Sequence, residues 1–478
     1  MPAMVDAAKP TTDPGPSPAP ARELSTAAPA PHRSLGTRLA ALTPSGQARV
    51  PAAWALYDLA NTIYSYAIVS YAIGLWTVDR LGPGDGQFWV GVANALSVGI
   101  NALVSPVLGA MSDRGGRRLP YLLFFTAQCI IATALIGLVP AGAPPLAFLG
   151  LALFAVANFS YQAALIYYDA TLPTVSRPES RGRVSGIGVA VGYLGTVIVG
   201  ISIAVLQAVG VLGSGSASLV FFMVAALFGL FAIPIFVVVR ERRTSDYRFR
   251  VADALASWSQ LSTTFRDARG VPGLLRFLVG RFFYTDPVNT VIVVIAVFAT
   301  QAIGLTDFQA NLFLLVLAVV AVGASFGWGL LVERIGPKRT LLVVLASWCT
   351  GLVIAGSVLS VPTFIAGGVL LGAGLGGVWT SDRVFMLRLS PPDKIGEFFG
   401  LYGLAGRFSA VTGPVLYGVI VKTLLEAGWG NAAYQVGIFS FLLLLVIGVV
   451  LLSGVPEPPR ERLGGTAEPD AAAGGANG

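Results

Sequence analysis

From about residue 50 onward, apolar residues neither alternate nor keep to one helical face. They run on for about 18–25 positions at a time, enough for a helix to cross the hydrocarbon layer of a bilayer. Twelve such runs fall at 52–76, 89–111, 119–140, 145–168, 183–209, 217–239, 278–301, 309–332, 340–360, 362–387, 397–421 and 432–454. Most connections are short. A polar stretch at 240–277 is the exception, and it divides the runs six and six. The pattern predicts an all-α integral membrane protein of twelve transmembrane helices, with six-helix bundles at 51–239 and 278–454 joined by a cytoplasmic linker, 240–277. The flanks, 1–50 and 455–478, are rich in Ala and Pro and lack an apolar stretch, so they are predicted to be disordered cytoplasmic tails.

Charge placement sets the orientation. Of the 31 basic residues, 26 lie in the tails and the even-numbered connections, against two, Arg80 and Lys422, in the odd-numbered ones. Positive segments stay in the cytoplasm during insertion, so both termini are predicted to lie inside a cell (inner) membrane. The same placement explains the pI of about 9.5 as topology rather than nucleic-acid binding. With 55% hydrophobic and 12% charged residues, the chain has too little charged surface for a soluble protein of its size.

The two cysteines, Cys129 and Cys349, sit inside apolar runs and read as small hydrophobes, not a disulfide or a metal pair. The one histidine, His32, lies in the first tail, outside any membrane run. No phosphate-cradling Gly-x-x-x-x-Gly-Lys-Ser/Thr loop, metal cluster or Ser–His pair occurs. An ATP-driven pump or membrane enzyme is therefore disfavoured, and no cofactor or metal is expected.

Three signatures recur in order in the two halves. Gly109-Ala-Met-Ser-Asp113-Arg114-Gly-Gly116 follows run 2, and Gly329-Leu-Leu-Val-Glu333-Arg334-Ile-Gly336 follows run 8, at an offset of 220. Pro178, Glu179, Gly182 and Gly186 match Pro392, Asp393, Gly396 and Gly400 at an offset of 214. Asp58-Leu-Ala-Asn61-Thr62 in run 1 matches Asp286-Pro-Val-Asn289-Thr290 in run 7 at an offset of 228. Two pseudo-symmetric bundles with the same in/out sense suit alternating access by rocking about a central site.

The Gly109–Arg118 stretch resembles the loop between helices 2 and 3 of the major facilitator superfamily, and its doubling extends the resemblance over the whole twelve-run body. Trp54-Ala-Leu-Tyr-Asp58-Leu-Ala-Asn61, Tyr168-Asp169-Ala-Thr-Leu-Pro173 and Gly396-Glu397-Phe-Phe-Gly-Leu-Tyr-Gly403 are similar to the vacuole-effluxer-like permeases, named for autophagy-related fungal members. The resemblance implies the major facilitator fold, with helices 1, 4, 7 and 10 around the cavity. It also implies efflux of amino acids or similar small solutes. Gly413-Pro414 lies in run 11, whereas the antiporter signature of facilitators belongs to helix 5.

Six ionisable residues fall within runs: Asp58, Arg281, Asp286, Asp382, Arg383 and Arg407; Asp169 stands at the edge of run 4. Six charges facing lipid would cost about 15–20 kcal/mol, more than a typical folding stability. They must face the interior, and three acids against three bases allow pairing. Static clamps and a gate that breaks in each cycle are both open readings. Arg407 is the preferred ligand for a substrate carboxylate, with a pair to Asp286 or Asp382 as the alternative. Asn61 and Asn289 share faces with Asp58 and Asp286, and Asn158, Tyr161, Gln162 and Trp379 are further cavity candidates. Protons, if they drive the carrier, must use carboxylates, Asp58 and Asp286 foremost.

In the loops, Gly109, Asp113, Arg114, Glu333, Arg334 and Glu397 form a candidate gate. The family resemblance implies that the acid after helix 2 docks at the start of helix 11 when the inner side is closed. The expectation is a monomeric secondary transporter of a small solute. A transporter-like sensor without net transport is the alternative.

Overall fold

The computed structural model describes residues 35–140, 144–211, 217–241 and 261–457. Its first half contains α1 (Leu35–Ala40), α2 (Arg49–Tyr64), a π-helical stretch (Ser65–Ala72) running into α3 (Ile73–Leu81), α4 (Pro83–Gly115), α5 (Leu119–Leu138), α6 (Pro144–Ala170), the single turn α7 (Leu172–Val175), α8 (Arg181–Ala208) and α9 (Ala217–Val238). The second half contains α10 (Leu261–Gly270), α11 (Leu274–Val297), a π turn (Phe298–Ala302), α12 (Asp307–Ile335), α13 (Pro337–Ser357), α14 (Val361–Leu389), α15 (Ile395–Glu426) and α16 (Ala432–Ser453). No strand occurs among the described residues. Helix ends follow local chemistry: Gly82 and Gly336 take positive φ and are each followed by a proline that opens the next helix.

Among the described residues, α4, α5, α6, α8, α9, α12, α13, α14 and α16 are long and apolar enough to cross a membrane. The other three predicted spans fall on α2–α3, α11 and α15, the elements that carry Asp58, Arg281, Asp286 and Arg407. The π-helical stretch Ser65–Ala72 divides the first of these spans into shorter helices. Burial is inverted relative to a soluble protein. Leu, Val and Ile line the outside, with Val237, Leu443 and Leu230 each at least 60% exposed, while Asn101, Thr285, Asp286, Asp382 and Ser409 lie within.

The halves meet along two matched helix pairs, α4 with α15 and α8 with α12. Gly109 packs on Gly396 and Ser105 on Gly400; in the other pair, Gly329 packs on Gly182 and Ser325 on Gly186. Each partner maps onto its counterpart by the offsets of 220 and 214 read from the sequence. A Cβ at Gly109, Gly182, Gly186, Gly396 or Gly400 would collide with the facing backbone, so glycine is what allows the approach. On α8, Gly188 and Gly195 likewise admit Trp54 and the Leu59 carbonyl of α2.

Three boundaries differ from the sequence expectation. The first tail is folded from residue 35: Leu42 and Thr43 are buried, and Arg177 N and Ser180 Oγ donate to the Leu42 carbonyl. Arg177 also donates from Nε to Thr43 O at 2.8 Å. The 240–277 connection contains α10, and α11 opens at Leu274, four residues ahead of the predicted run, because Gly273 in the left-handed region starts it. The second tail remains packed through Glu457: Lys338 Nζ donates to the carbonyls of Ser453 and Val455, and Arg388 pairs with Glu457 at 3.4 Å. Polar backbone groups leaving the membrane find partners there, a local effect that composition does not record. Residues 1–34, including His32, and 242–260 and 458–478 lie outside the described residues.

Candidate functional site

Asp58, Asp169, Arg281, Asp382, Arg383 and Arg407 gather where α2, α6, α11, α14 and α15 converge, and Asp286 stands apart from them. Arg383 on α14 reaches into the first half, with Nη2 at 3.5 Å from Asp58 on α2 and Nη1 at 3.4 Å from Asp169 on α6. Its Nε donates to the Trp379 carbonyl one turn back, and its guanidinium lies 5.4 Å from the Trp54 ring centroid. Trp54 in turn stacks on Tyr168 at 4.5 Å. One arginine of the second half is thus set against two acids of the first.

A second pair lies wholly within the second half. Arg281 Nε donates to Asp382 Oδ2 at 2.9 Å, and both side chains are almost fully buried. Tyr284 and Tyr402 hydroxyls donate to the same carboxylate at 2.8 and 3.2 Å. Arg281 also donates to the Tyr402 carbonyl and lies 3.6 Å over the Tyr402 ring. Every strong demand of that ion pair is met, as a buried pair requires.

The sequence balance of three acids against three bases does not become three pairs. Among the described residues, Arg407 meets no carboxylate, and neither Asp286 nor Asp382 is its partner. Instead its Nε donates to Gln162 Oε1 at 3.1 Å and its Nη2 to Gln162 O at 2.6 Å, bridging α15 to α6. Its Nη1 is buried without a partner. Asp286 meets no cation: its Oδ1 accepts from the Gly413 amide at 2.7 Å, and its Oδ2 has no partner. Asn61 is buried with both amide atoms unpartnered, and Asn289 is half-buried one turn along from Asp286. Asn158 serves the first half internally, donating to Asn94 Oδ1 and Ser97 Oγ on α4.

At the end of the bundle that carries residues 35–43 and 455–457, the acids of the repeated loops dock across the halves. Asp113 accepts from the Gly396 and Glu397 amides, at 2.9 and 2.8 Å, at the start of α15, and Arg118 braces it at 3.1 Å. Glu333 does the same at the start of α8, accepting from the Arg183 amide at 3.0 Å and pairing with its guanidinium at 2.6 Å. Carboxylates at helix N-termini meet free amides and the positive end of the helix dipole. Arg334 lies in the last turn of α12, and the side chain of Arg114 is outside the described residues.

Two supporting groups stand just outside the spans. Glu241 accepts from the Arg118 and Leu119 amides at the start of α5, and its burial raises its pKa. Lys394 donates to Asp267 of α10 at 2.6 Å, a bond that raises the lysine pKa.

Sequence reasoning missed Tyr284, Tyr402, Arg183 and Gly413 as partners and left Thr290 out of the site. Tyr402 lies inside the quoted Gly396–Gly403 motif, and Thr290 inside the repeated Asp-x-x-Asn-Thr, so a signal was present for both. Nothing in the sequence pairs Gly413 with Asp286.

The sequence pattern of the family described as vacuole effluxer Atg22 like matches residues 89–460. An uncharacterized MFS-type transporter, YxiO of Bacillus subtilis, is 29% identical over 415 residues, covering 84% of this chain and 94% of that protein. Autophagy-related protein 22-2 of Aspergillus clavatus is 24% identical over 263 residues, 50% of this chain and 43% of the fungal protein. The structure of the proton:xylose symporter XylE, a major facilitator protein, superposes with a TM-score of 0.66 at 13% identity, covering 86% of this chain and 96% of that one. A bacterial homologue of the iron transporter ferroportin, in its outward-facing state, gives 0.64 at 15%, covering 85% and 98%. The helical architecture is therefore that of the major facilitator superfamily, and the chain belongs to the Atg22-like vacuole effluxer family.

Proposed function

We propose that this protein is a secondary transporter that exports small carboxylate-bearing solutes, amino acids foremost, by alternating access across a cell membrane. All twelve predicted spans cross the bilayer in this reading, both chain ends are cytoplasmic, and a monomer is the working unit. The observation that carries it is where the halves are tied. Polar bridges between them, Asp113 to α15, Glu333 to Arg183, and Arg383 to Asp58 and Asp169, lie toward the end that carries residues 35–43 and 455–457, and Arg407 to Gln162 lies deeper in the bundle. These are reversible, charge-assisted contacts on matched elements, suited to a gate with two discrete states. The names of the relatives, an MFS-type transporter and an autophagy-related protein, agree with transport rather than catalysis.

Arg407 is the solute ligand in this reading. Its guanidinium keeps one buried nitrogen free beside Gln162 and meets no carboxylate of the protein's own. A carboxylate entering from solution would complete its fork. The test is counterflow: proteoliposomes preloaded with an unlabelled solute should accumulate the same solute in radiolabelled form, amino acids being assayed first. Replacement Arg407→Gln should abolish accumulation of carboxylate solutes while the protein remains monodisperse. Absence of counterflow for amino acids and other organic acids, with folded protein in the vesicles, would overturn the reading.

A further inference from the structure

Among the described residues, Asp286 is the one carboxylate in the spans that is both fully buried and set beside no cation. Its exposure is 1%, as is that of Thr290 one turn further along α11. The helices packed against α11 leave it alone. On α14, Asp382 is engaged by Arg281 and Arg383 by the first-half acids; on α15, Arg407 is engaged by Gln162. The α16 helix carries no charged residue, and α10, α12 and the ends of α14 and α15 carry theirs near or beyond the edges of the membrane. What touches Asp286 is the Gly413 amide of α15, at 2.7 Å from Oδ1.

The surroundings are built for an occupant. Gly413 lacks a Cβ, and in the space a Cβ would fill stand the Thr290 hydroxyl and both Asp286 carboxylate oxygens. Asp286 Oδ2 and Thr290 Oγ1 are both buried with no hydrogen-bond partner. Proline follows each of the two contact residues, Pro287 after Asp286 and Pro414 after Gly413. Without an N–H, neither proline donates to the carbonyl four residues earlier in its helix. Two buried oxygens without partners, one of them on an uncompensated carboxylate, therefore meet at Gly413. A buried carboxylate in that position costs several kcal/mol unless a positive charge joins it.

We propose that Asp286, Thr290 and the Gly413 turn form the binding site for the coupling cation, a proton or a sodium ion, and that Asp58 does not. Asp58 already faces Arg383, so its charge is compensated within the protein. The α11–α15 contact then changes with occupancy: a bound cation neutralises Asp286 and lets the two helices close, and its release leaves a charge that disfavours closure. This assignment uses the transporter reading for its consequence but not for its detection.

The experiment is labelling of the reconstituted full chain with dicyclohexylcarbodiimide, followed by peptide mass spectrometry. The reagent partitions into apolar sites and adds to a carboxylic acid. Labelling at Asp286 should be present at low pH, and sodium should protect it if sodium is the ion. If the ion is the proton, raising the pH of the labelling reaction should by itself prevent the adduct from forming, and sodium should have no effect. Where sodium protects, Thr290→Val should weaken that protection, and Asp58→Asn should leave the Asp286 adduct unchanged. An Asp286 adduct insensitive to both pH and sodium, or no adduct there at any pH, overturns the site. In transport, Asp286→Asn should lose gradient-driven accumulation and keep counterflow. If no variant, the parent included, shows counterflow, the transporter reading fails while the labelling still decides the cation site.

Discussion

At the scale of single residues, the molecule treats its buried charges in two distinct ways. Asp382 is held by one guanidinium and two tyrosine hydroxyls inside one half, so nothing in a rocking motion needs to disturb it. Arg383 is held by longer contacts, 3.4 and 3.5 Å, to two acids of the other half. The first arrangement is structural and the second can part. Asp382→Asn should therefore leave Arg281 buried without its counter-charge and destabilise the fold by about 3–5 kcal/mol. Thermal unfolding in detergent would register this as a large fall in midpoint, and adding Arg281→Met should recover much of it. If Asp382→Asn melts like the parent, the pair carries no structural weight.

At the scale of elements, the repeat shows what a sequence can and cannot reveal. The matched acids Asp113 and Glu333 and the matched glycines Gly182 and Gly396 were legible because identical spacing at a fixed offset survives divergence. Their docking on the first turns of α15 and α8 follows from helix-end chemistry once the fold is set. The pairing of the six charges was not legible. Three acids and three bases suggested three pairs, but pairing depends on which helix faces rotate together, and two of the six residues meet no opposite charge. The docked ends at 35–50 and 455–457 were hidden for a similar reason, since their partners are backbone carbonyls and distant loops. The gate itself gives a prediction. In Asp113→Asn the amide oxygen can accept from one of the Gly396 and Glu397 amides, while its NH2 turns toward the other. The lost cap costs about 1 kcal/mol in the closed arrangement. Transport should slow, with the yield of folded protein kept. Unchanged rates would remove the gate, and a large loss of folded protein would make Asp113 a structural cap instead.

At the scale of the whole molecule, the strongest physical constraint is the bilayer itself. It forces the apolar exterior and the helical backbone, and it sorts the basic residues to one side. The docked loop acids Asp113 and Glu333 lie at the end that carries residues 35–43 and 455–457, so the side on which that end sits decides which face of the membrane these contacts close. In the proposed topology the positive-inside asymmetry, 26 against 2, puts that end in the cytoplasm. A direct measurement can decide it. In a background with Cys129 and Cys349 replaced by serine, Trp429→Cys puts a thiol in the connection before α16, where the native side chain is 56% exposed, at the end opposite the bridges. Asp393→Cys puts one in the exposed turn before α15, beside them. An impermeant maleimide added to intact cells should modify the first variant and reach the second only after the membrane is opened. The reverse pattern would put the sealed end outside and turn the proposed exporter around. Labelling of both from the same side would mean an even number of crossings between 393 and 429, which the single helix α15 cannot supply.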